Sequence, residues 1–124
     1  MTTDTTMRET AHLISSEKVE GTPVRRSDGT KVGSIENVMI EKRTGRVVYA
    51  VMSFGGFLGM GEEYYALPWN ALRYNERLDA YELNVTDEQL RSAPAAASGF
   101  FDTGAADRRW EGDLHRHYSV PQYW

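Results

Sequence analysis

The chain contains no cysteine, so neither a disulfide framework nor a thiolate zinc site can be assembled from it. No uninterrupted apolar run approaches the roughly 20 residues that cross a bilayer as a helix, and Met1 to Ala11 is polar and threonine-rich where a secretory signal carries an apolar centre. A soluble, cytoplasmic protein with no membrane span is expected. A basic excess is missing too: 14 Lys and Arg stand against 18 Asp and Glu, in mixed order, for a net charge of -4. That balance leaves no electrostatic footprint for nucleic acid or anionic lipid, and no direct nucleic-acid binding is expected. The Gly-X-Ser-X-Gly elbow of hydrolases and the HEXXH of zinc proteases do not occur, which points away from an enzyme.

What is present is one domain's worth of chain, 124 residues, able to bury a modest single core. Residues 1–12 offer little to bury and are expected to be disordered. Ser15 or Ser16 can cap a helical turn through Val19, with Gly21 ending it in the left-handed conformation. Val24 opens a first strand. Ser27-Asp28-Gly29-Thr30 is a turn by composition, so the flanking runs read as a hairpin. In the second arm, Lys31 to Lys42, the apolar residues Val32, Ile35, Val38 and Ile40 break strict alternation, which predicts a bulge near Glu36 and Asn37. Arg43-Thr44-Gly45-Arg46 is a second hairpin loop.

Val47 to Phe54 is apolar on both faces apart from Ser53. It is expected to be a central strand, or one whose outer face meets another chain. Glu62 to Leu67 follows as a strand closed by Pro68, Trp69 to Leu72 as a tight turn, and Arg73-Tyr74 with Ala80 to Val85 as a last hairpin. Thr86 and Gln89 form a capping box for a short helix ending near Arg91. Residues 13–91 therefore read as a mainly β domain, a small antiparallel barrel with short helical turns. Residues 92–106 are a Pro/Ala/Ser/Gly linker. In 107–124, Trp110, Leu114 and Tyr118 recur at helical spacing, giving an amphipathic helical tail with an aromatic terminus.

Four clusters invite a chemical reading. The loop Gly55-Gly56-Phe57-Leu58-Gly59-Met60-Gly61 superficially resembles a phosphate-binding loop. It lacks the following helix and the Lys-Ser/Thr pair, and its apolar side chains suit an interface or a fold back onto the barrel. His115 and His117, with Glu111 and Asp113 near, are the candidate metal ligands. Residues two apart diverge on a helix, and zinc wants three or four converging ligands, so charge compensation at the helix C-terminus is the simpler account and no metal or cofactor is expected. Glu62 and Glu63, adjacent on a strand, face opposite sides and cannot act as a catalytic pair. Arg25, Arg26, Lys42, Arg43 and Arg46 are interspersed with Asp28, Glu36 and Glu41, which cancel their field over a Debye length of about 8–10 Å.

The succession Gly21, Val24, Asp28-Gly29, Gly33 with Ile35, Thr44-Gly45, the Val47 to Phe54 strand, the Gly-Gly-Phe-Leu-Gly loop and Leu67-Pro68-Trp69 resembles the PRC-barrel family, small β-domains named after the photosynthetic reaction centre. The resemblance spans about Leu13 to Leu90. It implies adaptor work: known members include the cytoplasmic part of the reaction-centre H subunit and the C-terminal domain of a ribosome-maturation factor. The chain lacks the membrane helix of the former and the N-terminal domain of the latter.

A non-enzymatic protein-interaction or scaffold module follows, with a protein partner and self-association, a dimer being favoured. Its expected interface residues are Tyr49, Val51, Phe54, Phe57, Leu58, Met60, Trp110, Leu114, Tyr118, Tyr123 and Trp124. The alternatives are an accessory factor in photosynthetic complexes or ribosome maturation, on resemblance alone, and a barrel that binds a small ligand or metal.

Overall fold

Turn chemistry organises this chain before packing does. In the computed structural model, which describes residues 9–54, 63–92 and 107–121, the Ser15 hydroxyl accepts from the Lys18 amide and starts α1 (Ser16–Val19). Gly21 then takes φ 87°, a left-handed backbone that glycine adopts without a Cβ clash. β1 (Pro23–Arg25) and β2 (Lys31–Ile40) are joined where the Asp28 carboxylate accepts from the Thr30 amide at 2.8 Å. That bond holds the Asp28 carboxyl below its ordinary range. The Glu41 carboxylate accepts from the Arg43 amide at 2.9 Å and turns the chain into β3 (Val47–Phe54). β4 (Glu63–Pro68), a 3-10 turn at Trp69–Ala71, β5 (Arg73–Asn75) and β6 (Ala80–Glu82) follow. α2 (Asp87–Arg91) starts at the Thr86/Gln89 capping box, and α3 (Arg108–His117) is capped by the Asp107 side chain.

The six strands form one sheet in the order β4-β3-β2-β1-β6-β5. Four of the five pairings are antiparallel, as expected for this fold class. β1 and β6 pair in parallel through Val24 with Tyr81 and Arg25 with Glu82. This long-range pairing has no hairpin signature, because its two strands are joined by most of the domain. It brings the last hairpin beside the first, and the ladders end at β4 and β5 without pairing to each other.

β3 lies between β2 and β4, and Val48 to Ser53 are all buried. Its continuous apolar run thus marks a central strand covered on both faces. Opposite it, β2 shifts register between Ile35 and Asn37, the bulge predicted from the apolar spacing, and again between Met39 and Ile40. The two strands cross so closely at Gly33 that a Cβ there would lie 2.2 Å from the Ser53 carbonyl oxygen and 2.9 Å from Met52 Cγ. Glycine is required at this point by contact.

The core gathers side chains from every layer: Val24, Ile35, Met52, Leu67 and Leu83 from the sheet region, Leu90 from α2, and Leu114 from α3, none more than 2% exposed. Replacing Gly33 with Ala forces apart two backbones at the centre of this core. The Gly33→Ala protein is expected to lose about 1–3 kcal/mol of stability, the usual range for overpacking, read as a lower denaturant midpoint; an unchanged midpoint would show that the crossing can relax.

Candidate functional site

The outward face of β3 is covered from within the chain. Trp110 of α3 meets the Tyr49 ring edge-on, with centroids 5.3 Å apart, the geometry that opposed ring quadrupoles favour. Leu114 is fully buried and Tyr118 8% exposed. At the start of the helix, Arg108 donates to the Glu41 carboxylate at 2.6 Å, tying α3 to the β2–β3 hairpin. The Arg43 amide and Arg108 together hold the Glu41 carboxyl below its usual range. Because Arg108 stays more than half exposed, this pair orients the helix more than it stabilises it. At the other end His117 Nε2 donates to the Gln89 carbonyl at 2.7 Å, joining α3 to α2.

His115 departs from the expected charge compensation at a helix end. It is completely buried, its Nδ1–H donating to the Glu111 carbonyl at 2.8 Å, because the last turn of α3 lies against the sheet instead of facing water. Burial pushes its imidazole below the ordinary histidine range, although the Glu111 and Val48 backbones pull the other way. The same burial lifts the Tyr49 hydroxyl to about 12, with Glu111 adding to it, and the Tyr118 hydroxyl to about 12. Glu111 is itself raised by burial. Among the described residues no three His, Asp or Glu side chains come together as a metal site; His115 and His117 each point to a different backbone carbonyl.

Of the expected interface residues, Tyr49, Val51, Leu114 and Tyr118 are buried, and Trp110 and Phe54 are half-buried, Phe54 lying edge-on to Tyr65 at 5.8 Å. Within this chain these six side chains share one core. Phe57, Leu58, Met60, Tyr123 and Trp124 lie outside the described residues, as does Glu62. Of the basic residues near the hairpins, Arg25 donates to the Gly29 carbonyl at 3.0 Å and Arg26 to Asp87 at 2.5 Å.

Among the described residues, the large apolar side chains most in water are Leu13 at 71%, Ile40 at 50% and Met39 at 37%. Sequence reasoning counted Ile40 among the apolar residues of β2 that break alternation and did not single out Met39. The signal was two consecutive apolar residues directly before a polar hairpin; the register shift between them re-aims both outward, as bulges do. They border a cleft of about 310 Å³ walled by Val48, Tyr49, Glu41, Arg108 and Glu111.

A small, mostly antiparallel sheet of this order, bent by bulges and capped by short helices, defines a small β domain and not a particular chemistry. The chain belongs to the PRC-barrel domain family, whose model matches residues 12–90. The family is not known as enzymatic. A search of curated proteins finds no match. The matched stretch ends before α3, so the helix that covers Tyr49 is added from outside it. No helix among the described residues is long and apolar enough to cross a membrane.

The buried imidazole sets a pH dependence. An unfolded chain's histidine titrates near 6.5 and the buried one lower, so on acidification the unfolded state takes up the proton first and stability falls as pH drops through that window. Carboxylates held low, such as Glu41, act only below about 4.5, and the raised Glu111 acts with opposite sign. The melting temperature is expected to fall from about pH 7.5 to about pH 5.5, and His115→Asn, which cannot titrate, to flatten that slope while melting lower at neutral pH. An equal slope in both proteins would place the titration elsewhere.

Proposed function

We propose that the chain is a non-catalytic protein-interaction module of the PRC-barrel type that associates with a second copy of itself through its exposed apolar ends. The observation that supports this reading is the outward Met39–Ile40 pair beside the Tyr49 cleft, at the end of β2 next to a β3 buried from Val48 to Ser53. Apolar surface of this kind is retained at a cost to solubility unless something covers it. Membership of a family not known as enzymatic is consistent with it. From the sequence, Phe57, Leu58 and Met60 in the glycine loop joining β3 to β4 are a second contact, since small residues allow close backbone approach and methionine adapts to irregular partners.

The two contacts are separable by light scattering. The natural protein is expected to run above the mass of one chain. Met39→Ser/Ile40→Ser and Phe57→Ser/Leu58→Ser, each with an unchanged circular dichroism spectrum, are expected to shift it toward a single copy. Unchanged mass in one variant rejects that contact, unchanged mass in both rejects this pair of surfaces, and a natural protein that is already a monomer rejects self-association.

A further inference from the structure

We propose that the cleft between the Glu9–Ile14 turn and the Trp69, Tyr74 and Tyr81 rings binds a small quaternary ammonium cation. Its volume is about 540 Å³, within the roughly 300–1,000 Å³ of small-molecule sites. Tyr74 and Tyr81 face each other across the β5–β6 ladder, their centroids 5.3 Å apart at 67°, and Trp69 stands 5.2 Å from Tyr81 at 56°. Trp69 and Tyr74 are half-buried at the cleft and Tyr81, 5% exposed, backs them; inclined aromatic rings lining a cavity are what proteins use to hold quaternary ammonium groups. The ladder and the 3-10 turn fix the rings beforehand, so little ordering is left to oppose binding.

The charge in the cleft has the matching sign. Its described lining includes Glu9 and Glu76 but no Lys or Arg. Glu9 is partly countered by Lys18, whereas exposed Glu76 forms no ion pair among the described residues. The Tyr74 hydroxyl donates to Asp79 at 2.7 Å and lies 3.4 Å from a Glu9 oxygen, which puts a third carboxylate beside the same ring. The hydrogen bond to Asp79 first, then burial and the charges of Asp79 and Glu9, hold the Tyr74 hydroxyl well above its usual range; burial and Glu9 raise that of Tyr81. Both rings therefore stay neutral. An anion would be repelled by these carboxylates, and a primary ammonium needs converging acceptors, whereas Glu9 and Asp79 are already engaged by Lys18 and the Tyr74 hydroxyl. N-methyl groups need only the rings and the apolar wall of Leu13, Ile14 and Leu72, with the carboxylates acting at longer range.

The test is a titration of the full chain with choline and with 3,3-dimethylbutan-1-ol, its uncharged isostere, followed by calorimetry and by the indole resonance of Trp69. Choline is expected to saturate at about millimolar strength and the alcohol to bind at least about tenfold more weakly, the difference being the cation's. Glu76→Gln, on the exposed β5–β6 turn, is expected to weaken choline by about threefold with an unchanged melt, since it removes one carboxylate at screened distance. Absence of a saturable Trp69 shift, equal binding of the two compounds, or an unchanged choline affinity in Glu76→Gln overturns the site. None of these readouts depends on whether the chain self-associates.

Discussion

The close passage of β2 over β3 is the constraint on which the rest of the fold depends. Ser53 and Met52 lie so near Gly33 that a side-chain methyl there would overlap both, and the bulged β2 passes at this point over a strand buried along nearly its whole length. A strand with no wet face needs cover on both sides. The β1–β6 pairing brings Val24, Tyr81 and Leu83 into the core, and α3 supplies Leu114, His115 and Tyr118. Each of these covers a strand whose residues Val48 to Ser53 are all buried.

That cover is made by polar side chains as much as by apolar ones. His115 is wholly buried yet donates to the carbonyl one helical turn back, a bond that offsets the desolvation of its Nδ1. Arg108 to Glu41 and His117 to Gln89 fix the two ends of the helix against different parts of the domain. With Tyr49 and Val51 taken up inside, the surfaces proposed for recognition are what the sheet leaves outside: the bulged end of β2, and the aromatic cleft between the last hairpin and the Glu9–Ile14 turn. In a family defined by a shared fold, function resides in such surface features.

Much of this was legible in the residues themselves. Ser15, Asp28-Gly29, Thr44-Gly45 and the Thr86/Gln89 box act within a few residues of chain, so their hydrogen bonds follow from local chemistry. The first bulge announced itself as a broken alternation around Glu36 and Asn37, because a period-2 pattern fails wherever one strand gains a residue. Burial of His115 was not legible: helical spacing places it beside Leu114 but does not say how wide a stripe of the helix the sheet will cover. Nor was the outward turn of Met39 and Ile40, which rests on a register shift against Tyr49 and Val47.

By itself, the order of residues determined the turns, the strands and the family, since those rest on backbone preferences and on periodicities a few residues long. The tertiary structure alone decided that β1 lies parallel to β6, that Tyr49 meets Trp110 inside the chain, and that Trp69, Tyr74 and Tyr81 share a cleft with Glu9. Such contacts join segments dozens of residues apart, and their energies come from surfaces that exist only after the sheet and helices have packed around the core.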